Sequence, residues 1–360
     1  MALKIAVIQR FLPSLSRGGV GYFAHGLCNA LAARGHTMTV FSHDPAPRGA
    51  RYQVVTLPQP SSHLGRRLAP LQFPFQLSRL RFSDFDILHA QGDDYLIPRR
   101  LNPPVVRTMH GSALAEALHN GLRLGSPRRC LMHLFFYLCE IISDLRADAV
   151  VAVSENTRCY YPRIHSVISG GIDPIPHTSG PGEKTSHPTI LFVGELFTRK
   201  RGRFLVDVVR REILPRLPEA ELWLVCPERM EGRGIHWWGS VGDEQLVQLY
   251  RQAWVFCLPS SYEGFGRPYI EAMAAGTPVV ATPNPGASEI LAGGQYGLLV
   301  SDRRLGEALY SLLRDGDLRK QYSQLGFERA HHYLWSKVAE QYEGVYENIL
   351  RKRTGRGQPA

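Results

Sequence analysis

Short apolar runs alternate with longer amphipathic stretches along the chain. Residues 3–8 are apolar except for Lys4, residues 37–42 (TMTVFS) are apolar and small hydroxyl residues, and between them residues 22–33 repeat apolar positions at helical spacing. A short uninterrupted apolar run indicates a buried strand, and a helix between two such strands indicates a parallel sheet. We predict further strands of this sheet at residues 54–57, 87–90, 105–109, 149–153 and 166–168.

The same alternation starts again after residues 174–188, which are rich in Pro, Gly and Ser. It predicts a helix at residues 203–211, a helical end to the chain at 305–350, and strands at 189–194, 222–225, 235–238, 255–258 and 278–281. We therefore predict an α/β protein with two doubly wound, Rossmann-like domains. Their predicted extents are residues 1–172 and 189–334, with a linker at 173–188 and a final helix at 335–350.

The composition is that of an ordinary globular protein, with 44% hydrophobic and 21% charged residues in 360. The most apolar run, residues 131–142, contains His133 and Glu140 and is far shorter than the roughly 20 residues needed to span a bilayer. The first residues lack the long apolar core of a leader peptide. The six cysteines show no C-x-x-C pair. We expect a cytoplasmic protein with reduced thiols and no metal site.

The positive charge is concentrated in the first half. Of the net charge of +10, most comes from residues 1–170, which hold 19 Lys and Arg against 10 Asp and Glu. This excess predicts an anionic partner, either a phosphate-bearing acceptor or an acidic membrane surface, and we expect no nucleic acid partner. Peripheral attachment would be at the inner face of the plasma membrane.

Residues 64–82 mix apolar side chains with four arginines and contain no acid: Arg66, Arg67, Arg79 and Arg81. Basic and aromatic residues together suit an interfacial segment on an anionic membrane. Because Pro70 and Pro74 argue against one continuous helix, we predict a loop that dips into the interface. The alternative is that the apolar residues pack beneath the first domain and the arginines are solvated.

The strongest chemical signal lies just after the predicted strand at 255–258. Glu263, Gly264, Phe265 and Gly266 precede a helix, and Glu271 would lie one to two turns into it. Glycines let backbone amides approach a ligand, and a helix N-terminus favours anions. Two carboxylates beside a phosphate site suit the hydroxyls of a polyol, which predicts a nucleotide-sugar. The alternative is that both acids are ordinary solvated residues.

The segment that follows repeats this design. A strand at 278–281 leads to Gly286, and we expect Ser288 and Glu289 to open another helix. The spacing of Glu263 and Glu271, a glutamate, seven residues and a second glutamate, resembles the signature of the retaining glycosyltransferases of family 4 (glycosyl transferases group 1).

The resemblance covers about residues 4–349 and implies the GT-B architecture, in which two Rossmann-like domains face each other across a cleft. It implies that Glu263 lies by the donor sugar and phosphates and that Glu271 holds the ribose hydroxyls. Gly264, Phe265 and Gly266 would bind the donor beside them.

Two features of the first half are similar to that family. Gly18 and Gly19 end a long loop before the first helix, which resembles the family's glycine loop facing donor and acceptor. His110 follows a strand and precedes a glycine, like the family's histidine that contacts the donor sugar. Residues 19–24 also match the dinucleotide fingerprint G-x-G-x-x-A, but about ten residues separate it from the first strand, which argues against that interpretation.

Arg199 and Lys200 follow the first strand of the second domain, where paired cations would bind a diphosphate. The family often carries Gly-Arg where this chain has Gly194 and Glu195, so one expected phosphate ligand is missing. We expect Arg199 to replace it. A solvated basic loop is the alternative.

These features predict a retaining, metal-independent glycosyltransferase that uses no cofactor. It would move a hexose-type sugar from a nucleotide-diphosphate donor to a glycan, glycolipid or secondary-metabolite acceptor, either lipid-linked or small. The predicted catalytic residues are Glu263, His110, Arg199 and Lys200. The alternatives are an NAD-dependent oxidoreductase, a non-catalytic protein of the same fold, which Glu195 would suggest, and a sugar phosphorylase.

Overall fold

The computed structural model describes residues 2–13, 19–59, 69–98, 103–118, 127–173 and 184–355. The chain forms two compact units. Unit 1 comprises the residues up to Gly171 together with those from Trp335 onward, and unit 2 comprises Ile172–Leu334. Ile172 was expected in the first domain, but its amide bonds to the carbonyl of Tyr333 and it bridges to Leu334, so it belongs with unit 2.

Unit 1 contains a seven-stranded sheet in the order β3-β2-β1-β4-β5-β6-β7, with every neighbouring pair parallel. Each predicted apolar run in this half forms one of its strands, because helices cover both faces of the sheet. The strands are β1 (Lys4–Ile8), β2 (Thr37–Ser42), β3 (Gln53–Thr56), β4 (Ile87–Ala90), β5 (Val105–Met109), β6 (Ala149–Ala152) and β7 (Ser166–Val167). The helices between them are α1 (Gly19–Ala33), α2 (Ala69–Leu77), α3 (Ala113–Glu116), α4 (Pro127–Arg146) and α5 (Glu155–Arg158).

Unit 2 contains a six-stranded parallel sheet in the order β10-β9-β8-β11-β12-β13. Its strands are β8 (Thr189–Val193), β9 (Glu221–Val225), β10 (Ile235–Trp237), β11 (Val255–Leu258), β12 (Val279–Ala281) and β13 (Leu298–Leu299). Its helices are α6 (Gly202–Val208), which continues as a π-helical turn (Val209–Ile213), α7 (Asp243–Gln252), α8 (Arg267–Ala274), α9 (Pro285–Ile290), α10 (Leu305–Arg314) and α11 (Gly316–Ala330). Short 3₁₀ turns lie at Ala292–Gly294, Asp302–Arg304 and His331–Tyr333. The two sheets confirm the predicted α/β class.

The final helix, α12 (Trp335–Gly355), packs against α1 and completes the core of unit 1. The indole of Trp335 occupies the space beside two glycines. A Cβ on Gly26 or Gly171 would lie 2.1 or 2.3 Å from its ring. Tyr342 and Tyr346 are completely buried about two and three turns further along. Only glycine at both positions therefore leaves room for this indole.

The last helix is longer than predicted. The predicted helix ends at residue 350, but α12 continues to Gly355. Arg351 pairs with Glu347 one turn earlier, at 3.1 Å, and Arg353 reaches Asp148 of unit 1 at 3.2 Å. These contacts, together with the favourable interaction of basic residues with a helix C-terminus, explain the extension.

The prediction that residues 64–82 form a loop is wrong for residues 69–77. Residues 69–77 form α2, with Pro74 inside it. Phe73 and Leu77 are fully buried, which contributes about 1.5–3 kcal/mol each and offsets the cost of about 3 kcal/mol for an internal proline. Residues 64–68, with Arg66 and Arg67, lie outside the described residues. No helix that the structure describes is long and apolar enough to cross a bilayer.

The winding of each sheet reverses at one place, between β1 and β4 in unit 1 and between β8 and β11 in unit 2. Ligands of open α/β sheets bind at the carboxyl ends of the strands at such a reversal. The residues that follow these strands and their neighbours are therefore the ones to inspect. They include Gly19 after β1, His110 after β5, Arg199 and Lys200 after β8, and Glu263 after β11.

Candidate active site

Glu263 lies at the centre of a charged cluster in unit 2. Its side chain is 7% exposed, and its Oε1 accepts a hydrogen bond of 2.7 Å from the Ser260 hydroxyl. The same oxygen lies 2.7 Å from Nη1 of Arg199 and 3.9 Å from Nζ of Lys200. Three of the predicted site residues thus meet, although they come from the loops after two different strands.

The loop of Glu263 rests on the next strand-turn-helix segment. The amide of Gly286 donates to the Glu263 carbonyl at 2.9 Å. A Cβ on Gly286 would lie only 2.6 Å from the carbonyl oxygen of Phe265, so a side chain there would push the loop away. The close approach requires glycine and fixes the backbone that carries the carboxylate.

Asn284 also ties these two segments together. Its side-chain oxygen accepts from the amide of Ala287 and caps α9, while its amide donates to the Ser260 carbonyl at 3.1 Å. The helix therefore begins at Pro285 rather than at Ser288 and Glu289. The sequence did not reveal this role, although an asparagine followed by proline is a recognisable helix start.

The two glycines before α8 have different reasons to be there. Gly266 adopts a left-handed conformation, with φ +91°, and a Cβ on it would lie 2.6 Å from the Tyr269 ring. Gly264 is not constrained in this way, because a Cβ there would meet no described atom within 4 Å. Phe265, between them, packs its ring against Tyr333 at 6.1 Å. The backbone conformation at position 266 thus requires glycine, whereas the space beside Gly264 is open.

Arg199 and Lys200 differ in how far they are exposed to water. The Lys200 side chain is 21% exposed and passes so close to Gly194 that a Cβ on that glycine would lie 2.4 Å from its Cδ. Burial lowers the pKa of Lys200, and the charge of Glu263 acts in the opposite direction. Arg199 is 45% exposed and also donates to the carbonyl of Tyr262. Glu195 is exposed.

Glu271 lies in the second turn of α8, as predicted, and has partners of its own. Its Oε1 lies 2.7 Å from Nε of Arg267 one turn earlier. The hydroxyl of Tyr250, on α7, donates to its Oε2 at 3.1 Å. Burial and the carboxylate of Glu271 raise the pKa of Tyr250, so this donor stays protonated. The sequence did not identify Arg267 or Tyr250, which fix the direction of the carboxylate.

In unit 1, His110 follows β5 and makes its closest polar contact with Gln91, which follows β4. Its Nε2 lies 2.6 Å from Oε1 of Gln91. Since an amide oxygen only accepts, the proton of the imidazole is on Nε2. Burial and the nearby guanidinium of Arg107 lower the pKa of His110 to about 3. The ring is therefore neutral near pH 7, and the edge of Phe23 packs on it at 4.6 Å.

The contact of Gln91 continues into a buried chain of neutral groups. The Gln91 amide lies 3.1 Å from Nε2 of His89, so this histidine carries its proton on Nδ1 and donates it to the hydroxyl of Tyr346 at 2.7 Å. Thr108 joins Nε2 of His89 to the hydroxyl of Tyr342, at 2.8 Å on each side. The orientation of His110 thus depends on the final helix.

The glycine loop of unit 1 is only partly described. Gly19 is the first residue of α1, three residues earlier than the predicted start, and no described atom lies within 4 Å of a Cβ built on it. Gly21 has no such room, because its Cβ would lie 2.8 Å from the carbonyl oxygen of Phe11. Gly18 lies outside the described residues.

No group of three or more His, Cys, Asp or Glu side chains that could hold a metal occurs among the described residues. Asp86, in the sequence Asp84-Phe85-Asp86, accepts a 2.7 Å hydrogen bond from the amide of Lys4. This contact ties the start of β4 to the start of β1. Asp86 therefore has a structural role.

Two doubly wound parallel sheets, with polar residues at their carboxyl edges, define the GT-B class of glycosyltransferases. Solved structures agree on the fold. Sucrose-phosphate synthase from Thermosynechococcus elongatus superposes with a TM-score of 0.76 at 20% identity, covering 97% of this chain and 100% of its own. Anabaena HepE in complex with UDP-glucose gives 0.71 at 16% identity, covering 96% and 100%.

Sequence comparisons give the family. The model described as Glycosyltransferase Family 4 matches residues 17–175, and the model described as Glycosyl transferases group 1 matches residues 187–315. Phosphatidyl-myo-inositol mannosyltransferase of Mycolicibacterium smegmatis is 27% identical over 84% of this chain and 87% of its own length. Alpha-maltose-1-phosphate synthase of the same species is 31% identical over 56% and 64%. The chain belongs to the family 4 glycosyltransferases, as its two glutamates had indicated, and it is an enzyme.

Proposed function

We propose that the enzyme moves a hexose from a nucleoside diphosphate sugar to a hydroxyl group of a glycan, glycolipid or small-molecule acceptor, with retention of configuration and without a metal. The observation that carries this proposal is the cluster at Glu263. A buried carboxylate held by Ser260, with Arg199 and Lys200 beside it, brings a hydroxyl-binding acid and two cations together at the ends of the paired strands β8 and β11.

The chemistry needs a site that stabilises a leaving diphosphate. The bond from the anomeric carbon to the diphosphate oxygen breaks, and a bond to the acceptor oxygen forms on the same face. The proton of the acceptor hydroxyl passes to the departing diphosphate. Fixed cations aimed at the oxygens where charge develops lower the barrier of such a step. Arg199, Lys200 and the amides of residues 264–266 supply that positive potential.

The two glutamates divide the recognition of the donor. Glu271, oriented by Arg267 and Tyr250, accepts hydrogen bonds from the ribose hydroxyls. Glu263 holds the two cations in position and accepts from a hydroxyl of the transferred sugar. A carboxylate suits a hydroxyl because it is an acceptor with several lone pairs.

His110 serves as an orienting group rather than as a base. Its Nε2 proton is engaged by Gln91, and a pKa of about 3 makes it a poor proton acceptor near pH 7. Its Nδ1 then accepts a hydrogen bond from the hydroxymethyl group of the donor sugar. Gly18 and Gly19 would leave backbone room beside the substrates.

The relatives support this class of reaction. One is named for mannosyl transfer to phosphatidyl-myo-inositol, one for the synthesis of maltose 1-phosphate, and one structure is titled with UDP-glucose. Their names favour a hexosyl donor and acceptors that carry phosphate or lipid. A phosphate-bearing acceptor also fits the positive charge excess in residues 1–170. We place the enzyme on the cytoplasmic side, where nucleotide-sugars are made.

Thermal unfolding with ligands tests the donor. We would measure the melting temperature with UDP, GDP and ADP, with their glucose and mannose derivatives, and with NADH. A ligand at about 100 times its dissociation constant adds about 2.7 kcal/mol of stability. We expect one base to stabilise the wild type and Glu271→Ala to lose that effect. No shift with any nucleotide, or a shift with NADH alone, would contradict the proposal.

A further inference from the structure

Helix α4 exposes a continuous apolar stripe. Leu131, Phe135, Leu138, Ile142 and Leu145 follow one another at intervals of four, three, four and three residues, which places them along one face of the helix. Their exposed fractions range from 42% to 71%, and Met132 and Leu134 beside them are 46% and 40% exposed. Single exposed apolar side chains are ordinary, but a continuous row marks an interaction surface.

The opposite face of α4 explains why the stripe points outward. Glu140 accepts hydrogen bonds from the Tyr161 hydroxyl at 2.7 Å and from the Ala113 amide at 3.1 Å. Asp144 is fully buried. Both acids of the helix therefore face the protein. The charged residues near the exposed stripe are cations at the two ends, Arg128 and Arg146.

Helix α2 adds to this surface. Phe73 of α2 packs with Leu88 of β4. The preceding residue, Ile87, packs with α1 and α12. Because successive side chains of a strand point to opposite faces, α2 lies on the face opposite to α1 and α12. Val150 of β6 packs beneath α4, and its neighbour Val151 packs on the side of α12. Helices α2 and α4 thus cover the same face of the unit 1 sheet.

The exposed part of α2 has the same character as α4. Leu71 and Phe75 are 41% and 49% exposed, and the guanidinium of Arg79 lies 4.2 Å from the centre of the Phe75 ring. Arg81 is exposed nearby in sequence. Apolar side chains edged by arginines therefore occur on both helices of this face.

We propose that this surface, the exposed side chains of α4 from Arg128 to Arg146 together with Leu71, Phe75 and Arg79 of α2, docks on an anionic lipid bilayer. Lipid headgroups neutralise the arginines while the apolar stripe enters the boundary of the acyl chains. A second copy of the chain fits less well, because pairing the two stripes would bring the arginines of one copy against those of the other.

This docking surface overlaps the one that the sequence predicted only at Leu71, Phe75 and Arg79. Residues 64–82 were expected to contact the membrane through a loop, yet most of their described aromatic side chains are buried, and the exposed apolar residues concentrate on α4. The inference does not depend on the proposed donor chemistry, since its test needs no substrate.

Vesicle flotation with the full-length protein tests the proposal. Vesicles of phosphatidylcholine alone would be compared with vesicles of equal parts phosphatidylcholine and phosphatidylglycerol. We expect the wild type to float with the anionic vesicles and not with the neutral ones, and added salt to weaken this binding. Arg79→Gln with Arg128→Gln should remove the preference for anionic lipid.

The double change Leu131→Gln and Leu138→Gln tests the apolar stripe directly. These two side chains are the most exposed of the stripe, at 71% and 62%, so their replacement leaves the core intact. We expect it to weaken binding to anionic vesicles by about tenfold or more. Val55→Gln, a change at a 40% exposed valine on edge strand β3, is the matched control and should bind like the wild type.

Three outcomes would overturn the proposal. They are no binding of the wild type to either vesicle, unchanged binding by the double variant, and a wild-type dimer in sedimentation that the double variant converts to monomers without any lipid binding. A nucleotide-induced thermal shift that persists in the double variant separates failure at this surface from failure of the proposed transferase chemistry.

Discussion

His110 of unit 1 and Glu263 of unit 2 each follow a strand at the carboxyl edge of a doubly wound sheet, but their surroundings are opposite. His110 lies in a chain of neutral groups that leads through Gln91 and His89 to Tyr346. Glu263 lies beside two cations, one of which is 45% exposed. The same edge of the same kind of sheet thus holds a fixed, uncharged group in one unit and an ionic cluster in the other.

The difference shows how each site can contribute to transfer. An ion pair that is partly open to water can exchange its carboxylate for an arriving diphosphate at little cost. Buried neutral groups joined by hydrogen bonds cannot exchange partners at low cost. Each donor or acceptor left without a partner would destabilise the protein by about 1–3 kcal/mol. Unit 2 is therefore suited to stabilising charge, and unit 1 to holding one orientation.

The largest expected effect would come from removing a cation of unit 2. Lys200→Ala and Arg199→Ala should each lower turnover by about 10²–10³, the usual loss for one group that stabilises developing charge. Steady-state kinetics with the identified donor would measure this. Arg203→Ala, which removes an exposed arginine paired with Asp207 on α6, is the control and should act like the wild type. Wild-type rates in the Arg199 variant would mean that it does not replace the missing family arginine.

The next effect separates the two glutamates. Glu271→Ala should raise the KM for the donor by about tenfold to a hundredfold, the value of a hydrogen bond to a charged group, with a smaller change in kcat. Glu263→Ala should lower mainly kcat, because its partners are the two cations. If both variants change kcat and KM alike, the proposed division of roles is wrong.

In unit 1 we expect a substitution among the hydrogen-bonded neutral groups to lower the stability of the fold. Tyr346→Phe removes the partner of His89 and should lower the free energy of unfolding by about 1–3 kcal/mol, because a buried donor is left unsatisfied. Urea denaturation would measure it. Tyr322→Phe, at a partly buried tyrosine of unit 2, is the matched change. A Tyr346 variant as stable as the wild type would show that the hydrogen bonds of His110, Gln91 and His89 are not coupled to α12.

The pH dependence of the stability should also show that the buried histidine His89 is neutral. Burial lowers the pKa of His89 from 6.5 to about 3, with a smaller contribution from His110. Between these values the unfolded state binds more protons than the folded state, so the stability is full above pH 6.5 and falls as the pH falls toward 3. His89→Gln should flatten this fall relative to the wild type. Equal slopes for both proteins would contradict the assignment of a neutral, buried His89.

The smallest expected effect is that of chelation. If Arg199, Lys200 and backbone amides supply the positive potential, EDTA should leave the rate of sugar transfer unchanged. The assay would follow release of the nucleotide with and without the chelator. Complete loss of activity, restored by Mg²⁺ or Mn²⁺, would show that a metal shares the work given to the two cations.

The hydrophobic pattern predicted twelve of the thirteen strands that the structure describes, because strands buried on both faces appear as apolar runs. It missed β13, which has only two residues. It also missed α2, because the burial of Phe73 and Leu77 stabilises this helix in spite of its internal proline. Short or strongly packed elements depend on tertiary contacts that a local pattern does not contain.

The candidate site divides in the same way. Glu263, Arg199 and Lys200 were visible because each follows a predicted strand next to glycines. Gln91 and Tyr346 were not, since their importance comes from partners elsewhere in the fold; His89 and Tyr346 are 257 positions apart. A polar residue directly after a buried strand, as Gln91 is, was the one available signal.

The indole of Trp335 between Gly26 and Gly171 has a consequence for how the protein is made. Ribosomes deliver the chain from its N-terminus, so the first 171 residues emerge long before Trp335, Tyr342 and Tyr346 reach them. Unit 2, which is continuous in sequence, can complete its core while unit 1 still waits for its last helix. Nascent chains stopped before residue 335 should therefore carry a protease-sensitive first unit beside a protected second one.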